Sequence, residues 1–393
     1  MYGSAASSQA HATMRPLDGL TALRMLPAVY VLAFHYGTMF FRLPALPAGL
    51  DLGYSGVSFF FMLSGFILAY NYASSDFSVP TIRRRYALAR FARIYPVFIL
   101  SIVVALPFYV RVMPPLDGLV SWLTTGARIG LTVTGLHAWV PGAACAINCP
   151  SWSISTEFFF YATLPVLLPA ILLRPRRWLL MTLGLLLLGW CLGGLVWHMA
   201  GRGLPLMSPE THRSAVTNLA SQFVIYFPLA RLPEFLLGIL LYVYWALHRR
   251  LRGAVLPALA IGGAVLLWLA KPFLPEVALS NGLTGLVWAP LIMAAADARG
   301  PWVSAAWPLW LGRISFALYL LHVPMAQAVL LADMLWFERS LLANPWIGAG
   351  LATALTFAAA ALAYAWVEEP ARRRILRARR LSSASSPAVT QPV

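Results

Sequence analysis

An arginine and a histidine eleven positions apart, Arg24 and His35, lie in the otherwise apolar stretch LDGLTALRMLPAVYVLAFHY, residues 17–36. Eleven residues make close to three helical turns, so both side chains leave one face, ~16 Å apart along the axis. Ionisable groups at such depth in lipid are costly and mark sites of function. A carboxylate, Glu157, falls at a comparable depth in a later apolar stretch. A histidine near a carboxylate is the usual arrangement for general-base chemistry, in which the acid sets the imidazole tautomer and stabilises the imidazolium. The plainer reading of His35, a buried hydrogen-bonding residue, stands beside that one. The other ionisable residues inside apolar segments are Arg231, Glu234 and His322, with His198 near the end of one. Arg231 and Glu234 are three apart and can neutralise each other on one helix face. His198 falls at an expected membrane edge, where a histidine can reach water.

The elements that position these groups follow from composition. Of 393 residues 60% are hydrophobic and 11% charged, and mean hydropathy is +0.74. That balance excludes a water-soluble globule and predicts a polytopic membrane protein. Apolar runs long enough to span a bilayer fall near 20–41, 53–73, 95–112, 151–173, 178–199, 218–247, 254–270, 281–297, 314–333 and 346–367. The expected fold is an all-α, polytopic transmembrane helix bundle of about ten spans, with both termini cytoplasmic. In that orientation 20 basic residues face the cytoplasm and seven the outside, as the positive-inside rule requires. The net charge of +16 is therefore a topology signal rather than a nucleic-acid footprint.

The sixth span is overlong and contains Pro228 and Pro233, which predict a tilt or break. The loop at 113–150 is the longest external one and carries Trp122, Trp139, Cys145 and Cys149; a disulfide between the two cysteines is compatible with an external position. Residues 1–16 form a small, polar N-terminal segment, expected to be disordered. Residues 17–374 form the membrane domain, and 375–393 a basic and then disordered cytoplasmic tail. There is no Walker loop, no G-x-S-x-G elbow and no His/Cys cluster at metal-ligand spacing, so no metal is expected.

Seven blocks, in order, carry a resemblance: LDGLTALRMLPAVYVLAFHY, GYSGVSFFFMLSGFILAY, RRYALARFARIYP, PSWSISTEFFFYATLP, RLPEFLLGILL, LGRISFALYLLHVP and VEEPARRR. Together they resemble the acyltransferase-3 family, integral membrane O-acyltransferases that modify lipopolysaccharide, exopolysaccharides, peptidoglycan, Nod factors and some macrolide sugars. The resemblance implies that His35 and Glu157 are catalytic, with His35 the base. It implies a donor site that includes Arg24, Arg85, Arg90, Arg93 and Tyr95, and substrate contacts from Arg231, Glu234, Ser315, Tyr319 and His322; Trp152 joins them as an aromatic able to stack on a sugar. Ser64, Gly65 and Phe66 match the small-residue motif of the second helix. Two departures are Phe158, where members often carry a second acid, and Thr21, where many have an arginine.

The expectation is transfer of an acyl group, acetyl being commonest in the family, from cytoplasmic acetyl-CoA or another acyl-CoA to a sugar hydroxyl of a lipid-linked or extracytoplasmic glycan. The setting is the bacterial inner membrane, and the partners are membrane lipids, the acyl-CoA and the glycan acceptor. Arginine suits phosphate, so Arg24 and the 83–93 loop would hold the CoA phosphates. Glu157 would orient His35. Direct transfer and an acyl-histidine route are both compatible with the residues. The alternatives are a lipid or glycan transporter whose buried charges line a pathway, and a scaffold subunit whose polar residues only hold helices together.

Overall fold

The computed structural model describes residues 15–41, 47, 49–112, 118–140, 142–199, 224–247, 255–338, 340 and 343–384. Residues 1–14 of the N-terminal segment and 385–393 of the tail lie outside the described residues, as does the side chain of His198. Among the described residues all regular structure is helical, and nine helical segments are long and apolar enough to cross a membrane. The remaining one of the ten expected spans is broken into α1 (Asp18–Leu23) and α2 (Met25–Phe40). Pro27 has no N–H to give the Leu23 carbonyl four residues back, so the ladder opens beside Arg24.

Helix α3 (Gly56–Tyr72) follows a short 3-10 turn. Helix α4 (Pro80–Val112) begins fifteen residues before the expected 95. The run from Arg83 to Arg93 is therefore the opening of a helix and not a loop. Pro80 supplies a preset N-terminal φ, and arginine is a good helix former. At 33 residues α4 is ~50 Å long, well beyond a ~30 Å hydrocarbon core, so one end projects. The expected external loop holds the amphipathic helix α5 (Leu119–Val133), whose Leu119, Val120, Trp122 and Leu123 are exposed. The Cys145–Cys149 disulfide is formed.

Helices α6 (Trp152–Leu173) and α7 (Pro175–Met199) come next, then α8 (Pro228–Leu247), α9 (Val255–Ala270) and α10 (Gly285–Asp297). The expected break in the sixth span occurs at Phe227, just before Pro228, while Pro233 lies inside α8. The approach to α10 is irregular at Asn281 and Gly282. Helix α11 (Ala306–Trp336) pairs with α12 (Pro345–Ala363), which continues through a widened turn at Tyr364–Glu368 into α13 (Glu369–Ala384). Residues 375–384, placed in the tail by sequence, continue that helix.

Lipid offers leucine no reason to prefer protein, so membrane helices associate through close backbone approach at small residues. Helices α3 and α8 cross in this way. A Cβ on Gly238 would lie 2.0 Å from the Met62 carbonyl oxygen, and one on Gly65 would lie 2.2 Å from that of Phe235. Gly312 lets α11 meet α1 on the same terms, with a Cβ there only 1.8 Å from the Thr21 carbonyl oxygen. These contacts place α3, α8 and α11 inside the bundle. Helices α7 and α9 sit at its rim, with Leu180, Leu188, Leu195 and Leu266 exposed.

Candidate active site

Two cavities meet inside the bundle. The larger, about 230 Å3, lies toward the arginine-rich end of α4 and is lined by Arg24, Arg90, Arg93, Glu157 and Tyr161 among others. The smaller, about 50 Å3, is lined by His35, Tyr54, Trp152, Tyr226 and Arg231. Val57 and Tyr319 line both. The gap in the helix at Arg24 opens the first helix on the larger cavity, and His35, about three turns on, serves the smaller one.

In the larger cavity the charges are unevenly paired. Arg93 forms an ion pair with Glu368, which is buried at the widened turn before α13. Arg90 lies over the Tyr72 ring at 5.9 Å. Glu157 accepts a hydrogen bond from Tyr161 at 3.1 Å. Arg24 faces the charges of Arg93, Glu368 and Glu157 but donates no hydrogen bond to any described residue. An arginine so placed, with its donors uncommitted to the described residues, is suited to an anion arriving from outside the protein.

The histidine of the smaller cavity is oriented by a second histidine. His322 Nδ1 is 2.5 Å from the Tyr319 carbonyl oxygen, and its Nε2 is 3.3 Å from His35 Nδ1. His35 Nδ1 is also 2.9 Å from the Val31 carbonyl oxygen. A carbonyl only accepts, so each Nδ1 carries its proton: His322 donates to Tyr319, and His35 donates to Val31 with His322 Nε2 as a second acceptor. This network assigns the tautomer and makes His35 Nε2 the basic nitrogen. His322 is itself held in depth, because the Tyr36 hydroxyl donates to its carbonyl at 2.9 Å and meets Thr356 at 2.7 Å, tying α2, α11 and α12 together.

Arg231 and Glu234 pair at 2.8 Å, as their spacing predicts. The pair also does more than neutralise itself. Arg231 donates to the Ser280 carbonyl at 2.5 Å, to Ser58 at 3.2 Å and to the Asn281 side chain, and it lies over the rings of Phe61 and Trp152 at 5.4 and 5.6 Å. The irregular backbone at Asn281 is thus what completes its donor set.

Several expected site residues stand elsewhere. Glu157 was expected to orient His35, but it faces Arg24, Arg93 and Arg90 in the other cavity. Arg24 is about three turns from His35, so Glu157 lies nearer the depth of Arg24, because where a helix sits along the membrane normal and which way it turns a side chain both depend on packing. Arg85 is exposed on the projecting part of α4 and lines neither cavity. Tyr95 is turned outward, donating to the Val133 carbonyl at 3.3 Å and stacking on Phe91 at 4.5 Å. Ser315 donates to the Gly312 carbonyl of its own helix at 2.8 Å and takes no part in either cavity. Trp152, Tyr319 and Arg231 line the smaller cavity.

Glu368, Tyr161, Tyr54, Tyr226 and Val57 carry no assignment from sequence. Only Glu368 left a usable signal, an acid closing an apolar span at the end where α4 is rich in arginine. Outside the spans, His137 is buried and donates from Nε2 to Ser151 Oγ at 3.1 Å, and burial pushes its ring down to about 4.

The chain is 29% identical over 401 residues, 95% of its own length and 96% of the relative's, to "Acyltransferase MdmB" of Streptomyces mycarofaciens. It is 30% identical over 153 residues to "Protein 2 in picA locus" of Rhizobium radiobacter, covering 36% of this chain and 75% of that one. No solved structure matches. The acyltransferase domain of the acyltransferase-3 family matches residues 17–365, nearly the whole apolar bundle with both cavities inside it, and the chain is therefore a multi-pass membrane acyltransferase belonging to that family.

Proposed function

We propose that this enzyme moves a short acyl group from acyl-CoA, acetyl-CoA foremost, to a sugar hydroxyl on a glycan or glycolipid presented at the far side of the bacterial inner membrane. The observation that carries the proposal is the meeting of an arginine-lined cavity with a histidine-lined one at Val57 and Tyr319. In this reading the arginine-rich end is cytoplasmic. The CoA phosphates rest near the mouth of the larger cavity with Arg24 as a principal cation and Arg90 and Arg93 beside it. The pantetheine arm extends inward and brings the thioester carbonyl through the Val57–Tyr319 junction to His35.

The acceptor approaches from the side of the smaller cavity, past Trp152, Tyr54 and Tyr226, and only its reacting hydroxyl reaches His35. Its hydroxyl proton goes to His35 Nε2 as the oxygen attacks the thioester carbon. The C–S bond then breaks, the acyl C–O bond is complete, and the proton passes from the imidazolium to the CoA sulfur. His322 supports the positive charge that develops on His35 through the shared Nδ1 proton. Glu157 in this scheme sets the charge balance of the arginine cluster and takes no proton from the acceptor.

The test uses membranes from cells that make the protein, incubated with acetyl-CoA labelled in the acetyl group. Label should enter an extractable glycan fraction, and His35→Ala at equal abundance should abolish that entry. Incorporation at the normal rate by His35→Ala removes the histidine from the mechanism, and absence of incorporation by the unaltered protein removes acetyl-CoA as donor.

A further inference from the structure

Resting on that reading, we infer that Val57 and Tyr319 select the acyl group by length. They are shared by the two cavities, so they form the partition that a thioester must meet on its way from Arg24 to His35. Their depth fits this role. Gly56, next to Val57, packs on Pro27, with a Cβ there 2.6 Å from the Pro27 carbonyl oxygen; Pro27 is three residues past Arg24 and eight short of His35. Tyr319 approaches from α11. It is buried and pinned, its hydroxyl donating to the Pro150 carbonyl at 3.0 Å and its ring centre 6.0 Å from that of Phe60 and 5.9 Å from that of His322.

The direction of approach makes the partition selective. The CoA sulfur trails on the arginine side, so the hydrocarbon beyond the carbonyl leads. When the carbonyl is at His35, that hydrocarbon has already passed Val57 and lies in the smaller cavity. At about 50 Å3 that cavity has room for a few non-hydrogen atoms only, against about 230 Å3 on the donor side. A long chain fits the cavity it comes from and not the one it must enter. Val57 is the residue to vary, because it is buried at 7% exposure, touches both cavities and donates no hydrogen bond through its side chain.

The experiment is a competition in washed membranes of the producing cell, which supply whatever acceptor they hold. Acetyl-CoA and butyryl-CoA, labelled with different isotopes in the acyl group, are added in equal amounts, and the ratio incorporated into glycan is read for the unaltered full chain, Val57→Ala and Val57→Ile. Val57→Ala should raise the butyryl-to-acetyl ratio by about tenfold or more, and Val57→Ile should lower it several-fold, in keeping with the ~10–200-fold discrimination a site attaches to one methylene. The ratio is independent of how much enzyme survives, so a fall in abundance does not mimic the effect, and should Val57→Ala not accumulate, Val57→Ile decides alone. Ratios within about twofold of the unaltered protein in the variants that accumulate overturn the partition. That result leaves the acyl transfer itself standing, whereas incorporation of neither label by the unaltered chain defeats both readings.

Discussion

Replacing His322 separates a base from the residue that holds it. His322 is fully buried, lines neither cavity, and meets His35 Nδ1 at 3.3 Å, while the Val31 carbonyl holds the same proton at 2.9 Å. In His322→Phe the Val31 contact keeps the tautomer, so the loss is limited to one hydrogen bond that strengthens as His35 becomes charged. Hydrogen bonds to charged groups contribute ~1.5–3 kcal/mol, which corresponds to a fall in kcat of roughly 10–150-fold with little change in KM for acyl-CoA. His322→Gln, whose amide oxygen can accept from His35, should recover most of the rate. The assay is initial-rate transfer of labelled acetyl to glycan in membranes, normalised to enzyme abundance. If His322→Phe is as inactive as His35→Ala, His322 is itself the proton acceptor; if its kcat is unchanged, the shared proton has no role. Either result refutes the arrangement.

Three further outcomes follow from the same structure. Arg24→Ala, which removes a cation with no hydrogen-bond partner among the described residues, should raise the KM for acyl-CoA by about 10–100-fold, equivalent to ~1.4–2.8 kcal/mol, and leave abundance in the membrane near normal; a loss of abundance with an unchanged KM would make Arg24 structural. Gly238→Leu forces side-chain atoms into the Met62 backbone, where even a Cβ would lie at 2.0 Å, and should lower the melting temperature sharply or prevent accumulation, as read by immunoblot and thermal unfolding in detergent. His137, at about 4 against an unfolded value of 6.5, stays neutral in the folded protein while the unfolded chain takes up a proton below 6.5. Its contribution to stability is therefore complete above that pH and is lost as pH falls toward 4, on the order of 2 kcal/mol by pH 5; His137→Gln should flatten this part of the melting-temperature profile.

Much of the architecture was legible in one dimension. The number and rough position of the apolar segments, the placing of arginine between them, and the spacing of Arg24 and His35 along one helix all follow from hydropathy and helical rise. Each depends on distance along a single helix or on transfer from water to lipid, and neither needs to know which helices are neighbours. Arg231 and Glu234 were readable as a pair for the same reason, since three residues is a local spacing.

What depended on neighbours was not legible. Glu157, expected at the depth of His35, faces Arg24 in the arginine cavity, and the place beside His35 is taken by His322, which lies 287 residues away in the chain. Arg85, Tyr95 and Ser315 lie in the right segments and face away from both cavities. Helix rotation is settled by where backbones can touch, as at Gly65 with Gly238 and at Gly312 with Thr21, and those contacts join distant parts of the chain. Sequence by itself determined that a membrane bundle carries an arginine and a histidine on one helix face. Only tertiary packing decided that they serve two cavities with Val57 and Tyr319 between them, because a cavity is the space left over once several helices have met.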